Sequence, residues 1–292
     1  MINASTTLYA VIGDPIVHSL SPIMQNWFIN QFNLNAVYGA FHVKNESLRS
    51  CVDGVRAMGI GGLNVTVPHK EAVISFVDAL TDEVKLLGAA NTLDNVGGRI
   101  TAHVTDPYGF MESIRDKDRF RGASVLMYGA GGAAKSVAYA LSKLGVEQLL
   151  IFDLVTEKAS ELAALSQNKF AIKSASALQK SFAPMKEILA HTHIVINATA
   201  VGMHPFENKT VVDHYDVITS EHFFYDLVYN PGVTTFLRMA AEKGAAVQNG
   251  LDMLIFQGLQ SMRIWTGQEL PLSETQLNEL KNMMKKQLGI HE

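Results

Sequence analysis

The chain has 292 residues, of which 48% are hydrophobic and 18% charged, and its formal net charge is −4. These values are typical of a globular protein long enough for about two domains. A small negative charge gives no reason to expect nucleic acid or a membrane as partner, and no stretch approaches the ~18 apolar residues of a membrane helix. The single cysteine, Cys51, excludes an intrachain disulfide and favours a reducing, cytoplasmic location.

Strand and helix patterns alternate from the start of the chain. The apolar run Leu8–Ile12 predicts a strand, and Ser21 followed by Pro22 predicts a helix N-cap and first turn. Further strands are predicted over 36–43 and 61–67, helices over 46–58, 68–76 and 82–87, and a hairpin over 91–96 and 99–104. Alternation of this kind indicates an α/β fold, and Thr105–Gly109 is predicted to be a hinge into a second domain.

A glycine turn near the middle of the chain is the most informative local motif. The stretch Ser124–Tyr128 predicts a buried strand, and Gly129, Gly131 and Ala134 follow with the spacing G-x-G-x-x-A at the start of a helix. Such glycines permit a tight turn and a close approach of backbone N–H groups to a pyrophosphate. The pattern predicts a dinucleotide site in a Rossmann doubly wound parallel sheet, although a βα turn that binds nothing would give the same local pattern.

The rest of the chain continues the βα alternation. Strands are predicted near 148–152, 170–174, 192–197 and 223–228, and helices near 156–165, 184–190, 233–242 and 250–265. A last helix begins at Ser273, which forms a capping-box pair with Gln276.

Polar residues follow several of the predicted strands in the first part of the chain. They are Ser19, Ser21, Asn64, Thr66, Lys70, Asn91 and Asp106. Because ligands of open α/β sheets bind at the carboxyl ends of strands, their joint placement predicts a site for a small polyhydroxylated anion. Individually, Ser21 could simply cap a helix, Asn91 could stabilise a turn and Lys70 could be a solvated charge.

With these motifs the chain resembles the shikimate dehydrogenase family along nearly its whole length. The resemblance is carried by VIGDP (11–15), HSLSP (18–22), NVTVPHK (64–70), GAANTL (88–93), Thr105-Asp106, YGAGGAA (128–134), INATAVGM (196–203), DLVYNP (226–231), NGLDM (249–253) and Gln257-Gly258. HSLSP with Met24–Asn26, and Pro205–Asn208, resemble the quinate/shikimate dehydrogenase branch.

The resemblance implies a two-domain enzyme of aromatic amino acid biosynthesis that oxidises shikimate, quinate or both to the 3-dehydro ketone by hydride transfer to a nicotinamide nucleotide. It implies Lys70 and Asp106 as the catalytic acid–base pair. It implies that the substrate is bound by Ser19, Ser21, Asn64, Thr66, Asn91, Tyr229 and Gln257. It implies that the nucleotide is bound by Gly129, Ala130, Gly131, Gly132, Ala133, Asp153, Asn197, Thr199, Val228 and Gly250. No metal is expected, and the protein is expected to be a monomer or homodimer.

The same resemblance implies a discontinuous domain arrangement. Residues 1–106 would form the substrate-binding domain, 107–247 the NAD(P)-binding domain, and 248–292 helices that return to the first domain.

Two departures from the family pattern affect cofactor and substrate. Where NADP-using members typically have Asn-Arg-Thr, this chain has Asp153-Leu154-Val155, and a carboxylate favours the ribose hydroxyls of NAD and repels a 2′-phosphate. We therefore expect NAD as the preferred cofactor, with NADP as the alternative. Where the family usually has Asn before Thr-Asp, this chain has Val104.

Val104 leaves other functions open. The chain could be a paralogue acting on an analogue such as aminoshikimate, or a nucleotide-binding regulator that has lost catalysis. The retention of both Lys70 and Asp106 argues against the regulator, and against a nucleotide-site enzyme of other chemistry such as a methyltransferase.

Overall fold

The computed structural model describes residues 2–179 and 184–289, which form two compact units. One unit consists of the chain up to Gly109 together with Ile255–Lys286, and the other is built from Phe110–Leu254. Both boundaries fall a few residues later than the ranges 1–106, 107–247 and 248–292, because each lies inside a continuous helix. No helix in the described part of the chain is long and apolar enough to cross a membrane.

Twelve strands are assigned in the described chain. They are β1 (Thr7–Gly13), β2 (Ala36–His42), β3 (Gly62–Val65), β4 (Ala79–Leu80), β5 (Thr92–Val96), β6 (Arg99–His103), β7 (Ser124–Tyr128), β8 (Gln148–Phe152), β9 (Ser174–Leu178), β10 (Ile194–Asn197), β11 (Phe223–Asp226) and β12 (Ala246–Asn249).

Ten α-helices accompany them in the same described residues. They are α1 (Ser21–Gln31), α2 (Leu48–Met58), α3 (Asp82–Leu87), α4 (Asp106–Ser113), α5 (Gly132–Lys143), α6 (Thr156–Asn168), α7 (Met185–His191), α8 (Thr235–Ala241), α9 (Leu251–Thr266) and α10 (Glu274–Gln287).

The first unit contains a mixed sheet in the order β2-β1-β3-β5-β6-β4. Strand β1 is parallel to both β2 and β3, whereas β5 is antiparallel to β3 and to β6. The carboxyl ends of β1, β3 and β6 and the start of β5 therefore meet at one edge of the sheet, which is where the predicted polar residues occur. The apolar face opposite α2 is filled by buried side chains such as Leu63, Leu93 and Ile100.

The second unit contains a fully parallel sheet in the order β12-β11-β10-β7-β8-β9. This is the doubly wound order, in which the chain starts at the centre, builds one half and then reverses to build the other. The switch point lies between β7 and β10, so the glycine turn after β7 lies where such sheets bind nucleotides. The α/β fold predicted from the sequence is confirmed.

Several predicted elements were wrong. The predicted helix after Pro68 is only a 3₁₀ segment, Ala72–Phe76. The junction predicted over Thr105–Gly109 does coincide with the unit boundary after Gly109, but its backbone is helical because it lies largely in α4. The strand predicted near 170–174 lies instead at Ser174–Leu178, where small residues replace the expected apolar run, and β12 was not predicted. Capping of α10 by Ser273 and Gln276 is confirmed by mutual hydrogen bonds of 2.9 and 3.3 Å.

Candidate active site

The centre of the polar cluster in the first unit is an ion pair between Lys70 and Asp106. The Lys70 Nζ donates to Asp106 Oδ2 at 2.6 Å, and Asn91 Nδ2 donates to Asp106 Oδ1 at 2.8 Å. The two side chains are 26% and 11% exposed, so the pair is largely desolvated yet still reachable from outside. An ammonium held in this way can give a proton to a substrate oxygen, and the carboxylate keeps it in place.

Asn91 links this pair to the C-terminal part of the chain. Its side-chain Nδ2 also donates to Thr105 Oγ1 at 2.9 Å and to Gln257 Oε1 at 3.2 Å. Its side-chain oxygen, Oδ1, accepts the Thr105 N–H at 2.7 Å. Gln257 lies on α9, far away in sequence but part of the same unit. The structure thus brings four of the predicted residues, Lys70, Asp106, Asn91 and Gln257, into one hydrogen-bonded group.

Asn64 is buried and its side-chain amide is fully occupied by protein partners. Its Oδ1 accepts from the Tyr38 hydroxyl at 2.7 Å, and its Nδ2 donates to Ser261 Oγ at 2.9 Å. The same Nδ2 also donates at 3.2 Å to the main-chain carbonyl of Asn91 and to Thr92 Oγ1. Sequence reasoning missed Tyr38, Thr92 and Ser261. Ser261 lies one helical turn after Gln257 on an otherwise apolar face of α9, a spacing that could have revealed it.

The two serines lie in the turn that follows β1. Ser21 is the first residue of α1, and Leu20 occupies the N-cap position, so the prediction of Ser21 as the cap was wrong. Instead, Ser19 Oγ accepts the Ser21 N–H at 3.2 Å, which ties the two hydroxyl-bearing residues together. Both are only partly buried.

Close backbone packing brings Thr66 to this turn. The Thr66 N–H donates to the Ile12 carbonyl at 3.0 Å, continuing the pairing of β3 with β1. A Cβ added at Gly13 would lie 2.5 Å from the Thr66 methyl carbon, so only glycine permits this approach. The predicted substrate residues of the first unit therefore gather at one edge of its sheet.

The glycine turn of the second unit has the geometry that the motif predicts. Gly129 has φ of +105°, and a Cβ there would lie 2.8 Å from the Ala198 carbonyl oxygen. Gly131 is the N-cap of α5, and Gly131, Gly132 and Ala133 are exposed. The first-turn N–H groups of a helix lack intrahelical acceptors and carry partial positive charge.

The space in front of this helix fits a pyrophosphate. A Cβ added at Gly131 or Gly132 would meet no heavy atom within 4 Å, so packing does not require glycine at either position. The glycines instead leave an open approach to the N–H groups of α5, which is the feature that a dinucleotide needs.

Asp153 lies directly after β8, at the predicted ribose position. Its Oδ2 accepts the Ala130 N–H and its Oδ1 accepts the Val155 N–H, both at 2.8 Å. Each carboxylate oxygen can accept a second hydrogen bond, so both remain able to bind ribose hydroxyls. A cavity of about 430 Å³ adjoins Asp153, and its lining includes Phe152, Leu154, Thr199 and Val201.

Asn197 and Val228 are joined by a buried carboxylate, Asp226, that was not predicted as a site residue, and Thr199 Oγ1 donates to Asn197 Oδ1 at 2.6 Å. Asp226 Oδ1 accepts from Asn197 Nδ2 at 2.9 Å and from the Val228 N–H at 3.0 Å, and Thr234 Oγ1 donates to its Oδ2 at 2.6 Å. Burial raises the pKa of Asp226 to about 6, although these hydrogen bonds act in the opposite direction. The carboxylate therefore fixes the loops after β10 and β11.

Gly250 and Tyr229 complete the predicted set. A Cβ at Gly250 would lie 2.1 Å from the Leu227 carbonyl oxygen, so glycine is required there by backbone packing alone. Tyr229 belongs to the second unit, unlike the other predicted substrate residues, and burial raises the pKa of its phenol. No group of three or more His, Cys, Asp or Glu side chains suited to a metal occurs among the described residues.

The chain contains both a Rossmann sheet with an open glycine turn and a desolvated amine–carboxylate pair. Together these features define the class of protein: an NAD(P)-dependent oxidoreductase. Comparisons with known proteins agree. The family description "Shikimate dehydrogenase substrate binding domain" matches residues 11–93, and "Shikimate / quinate 5-dehydrogenase" matches residues 112–236.

Relatives cover almost the whole chain. A protein of Carboxydothermus hydrogenoformans named shikimate dehydrogenase (NADP(+)) is 39% identical over 99% of both chains. A shikimate 5-dehydrogenase from Listeria monocytogenes, solved with shikimate and NAD, is 32% identical with a TM-score of 0.88 and covers 97% of this chain and 98% of its own. A quinate dehydrogenase from Corynebacterium glutamicum, solved with NAD, is 28% identical with a TM-score of 0.85, covering 97% and 99%. The chain belongs to the shikimate dehydrogenase family.

Proposed function

We propose that this protein interconverts shikimate and 3-dehydroshikimate, with Lys70 and Asp106 as the acid–base pair and NAD as the preferred nucleotide. The observation that carries the proposal is the 2.6 Å pair of Lys70 and Asp106 within the group formed with Asn91 and Gln257. Family membership supports the reaction class and the substrate.

Lys70 supplies or removes the proton that the reaction needs. The nicotinamide, when bound, donates or accepts the hydride at the carbon of the reacting carbonyl or alcohol. In reduction, the Lys70 ammonium protonates the oxygen on which negative charge develops. In oxidation, the same nitrogen, after losing a proton to solvent, takes the hydroxyl proton. Asp106 holds this nitrogen in place and Asn91 holds Asp106.

The remaining substrate residues differ in the chemistry that they offer. Ser19, Ser21 and Thr66 present hydroxyls suited to a carboxylate, whereas Asn91 and Gln257 present amides suited to ring hydroxyls. Asn64 is buried with both ends of its amide in use, so its role is to shape the site. Tyr229 is assigned to the substrate by the family resemblance.

The preference for NAD is argued from Asp153 and its neighbour. The Asp153 carboxylate has acceptor capacity for two ribose hydroxyls and would repel a 2′-phosphate. Leu154 is 85% exposed and offers no charge to such a phosphate. Curated relatives are named for NADP, whereas the Listeria and Corynebacterium structures hold NAD, so the family contains both choices.

Steady-state kinetics tests both substrate and cofactor. We expect shikimate turnover with a higher kcat/KM for NAD than for NADP, and we expect Leu154→Arg to raise kcat/KM for NADP because the guanidinium can bind the 2′-phosphate. A strong NADP preference in the unmodified enzyme would refute the cofactor assignment. Lack of turnover with bound NAD would favour a regulator.

A second candidate substrate follows from Val104. Its side chain packs against the apolar core of the first unit, so this position contributes no amide beside Asp106. A compound that differs from shikimate in its ring substituents, such as aminoshikimate or quinate, is therefore included in the assay. A higher kcat/KM for one of these than for shikimate would select it.

A further inference from the structure

Tyr38 is a buried phenol in β2 that the proposed chemistry does not use. Only 3% of it is exposed. Its backbone is held by the Asn26 side chain on α1, whose Oδ1 accepts the Tyr38 N–H at 3.0 Å and whose Nδ2 donates to the Tyr38 carbonyl at 2.9 Å. Its ring lies beside Trp265, with 6.2 Å between centroids. Backbone and ring are thus both fixed, so the hydroxyl has one location.

The hydroxyl of Tyr38 acts as a donor to Asn64. Burial raises the pKa of this phenol well above its ordinary value, so it keeps its proton at neutral pH. The proton goes to Asn64 Oδ1 at 2.7 Å. Tyr38 therefore touches Asn64, one of the predicted substrate residues.

The other end of the Asn64 amide contacts the main-chain carbonyl of Asn91, which also accepts the Val65 N–H at 2.8 Å. Asn64 Nδ2 donates to the Asn91 carbonyl at 3.2 Å and to Ser261 Oγ at 2.9 Å. If the amide turned over, its oxygen would face the Asn91 carbonyl and its NH₂ group would face the Tyr38 hydroxyl. Two carbonyl oxygens would then oppose each other, which is unfavourable in a buried site. The Asn91 carbonyl thus selects one orientation of the Asn64 amide, and the Tyr38 hydroxyl donates to the oxygen that this orientation presents.

We propose that Tyr38 is a positioning residue of the substrate site, acting through the Asn64 side chain. The inference deepens the proposed function and rests on it for the identity of the substrate. Without the hydroxyl, Asn64 Oδ1 retains only the 3.4 Å contact from Gln25 Nε2. Asn64 Oδ1 would then be a buried acceptor with one long hydrogen bond, so the Asn64 side chain would be held less firmly against the Asn91 main-chain carbonyl.

Tyr38→Phe removes the hydroxyl alone, and Tyr9→Phe is the matched control. Tyr9 pairs with Tyr38 across β1 and β2, is 6% exposed and stacks on the same Trp265 at 4.7 Å. Among the described hydrogen bonds, none joins the Tyr9 hydroxyl to Asn64 or Asn91. Each variant therefore removes one phenol hydroxyl, from paired residues of neighbouring strands. Only Tyr38→Phe removes a donor to Asn64.

Two measurements are made on each variant of the full-length protein. The first is hydrogen exchange of the Asn64 and Asn91 side-chain amides by ¹⁵N NMR. The second is KM for shikimate and for the nucleotide. We expect faster exchange at the Asn64 amide in Tyr38→Phe only, unchanged exchange at the Asn91 amide, and a shikimate KM raised about fivefold, the worth of one ordinary hydrogen bond, with the nucleotide KM unchanged.

The outcomes separate this inference from the proposed function. Equal exchange in Tyr38→Phe and Tyr9→Phe overturns the inference, and so does faster exchange with an unchanged shikimate KM. If the unmodified protein does not turn over shikimate, the proposed function falls, while amide exchange in the two variants still decides whether Tyr38 positions Asn64.

Discussion

The polar site of the first unit is formed by side chains, whereas the glycine turn of the second unit is formed largely by backbone groups. In the first, side chains bond to side chains: Lys70 to Asp106, Asp106 to Asn91, Asn91 to Gln257. In the second, the features that fit a nucleotide are backbone N–H groups, a positive φ at Gly129 and one carboxylate, Asp153. A backbone site needs a short continuous motif, whereas a side-chain site needs residues from several segments.

This difference predicts how each site responds to substitution. Removing one side chain from the first site leaves a partner charged or unpaired in a largely desolvated place, and the loss should appear in kcat. Changing the backbone turn should appear in nucleotide affinity and in stability. The following three experiments test that contrast.

The largest expected effect is that of Lys70→Ala on kcat. Loss of the acid–base group should lower kcat by ~10²–10⁴, with little change in the dissociation constant of the nucleotide. Stopped-flow turnover and nucleotide titration measure the two quantities. Lys85→Ala is the control, because Lys85 is an exposed residue of the same unit paired with Asp82. A kcat equal to that of the unmodified protein would remove Lys70 from the role.

A smaller effect is expected from alanine at two positions of the glycine turn. Gly129→Ala forces a positive φ and a contact with the Ala198 carbonyl, so both the melting temperature and nucleotide affinity should fall, affinity by roughly tenfold or more. Gly131→Ala meets open space at a negative φ, so only affinity should fall.

Calorimetric titration and thermal unfolding of both variants test this prediction. If Gly131→Ala bound NAD as tightly as the unmodified protein, the pyrophosphate would not approach this turn. A melting temperature for Gly129→Ala equal to that of Gly131→Ala would mean that the turn tolerates a side chain, contrary to the geometry.

The smallest effect concerns the pH dependence of stability through Asp226. Its pKa of about 6 in the folded protein lies above the ordinary 3.8, so the folded state binds the extra proton between these values. Stability from this group is therefore fully present below the unfolded pKa and is lost as pH rises through about 6. Compared with Asp226→Asn, the free energy of unfolding should fall by roughly 1–3 kcal/mol from pH 4 to pH 7.

Denaturant unfolding at several pH values measures this difference. Asp118→Asn, on the exposed surface of the same unit, is the control and should show no such trend relative to the unmodified protein. A free-energy difference between Asp226→Asn and the unmodified protein that does not change with pH would show that Asp226 does not titrate in this range.

The fold was largely predictable because most elements carry their own signal. The helix at 82–87 ends at a glycine with φ of +68°, and the hairpin turns at two glycines of positive φ, so local chemistry ends these elements where it was predicted to. Strand β9 was misplaced for the opposite reason, because its own residues carry little strand signal. Strand β9 contains Ser174, Ala175, Ser176 and Ala177, and it is a strand because it pairs with β8 rather than through its own propensity.

The residues of the candidate site also divide into those with a local sequence signal and those without one. Gly129, Gly131 and Asp153 could be read from one stretch because tight turns and helix N-termini are properties of consecutive residues. Family motifs pointed to Lys70, Asp106, Asn91 and Gln257, and the helical spacing from Gln257 could have pointed to Ser261, but neither Tyr38 nor Asp226 was recognised as part of a site. Each is a polar group buried by a distant segment, and its partners are evident only in the folded chain.

The amino-acid sequence by itself determined the α/β class and the dinucleotide turn, since these follow from periodicity and glycine spacing. Its resemblance to the shikimate dehydrogenase family supplied Lys70 and Asp106 as the proposed acid–base pair. Tertiary structure alone decided which polar groups satisfy one another. It returns α9 to the first unit, where Ser261 and Gln257 meet Asn64 and Asn91. The physical reason is that a buried amide must have partners for its N–H and C=O groups, and those partners can come from any part of the chain that the fold brings near.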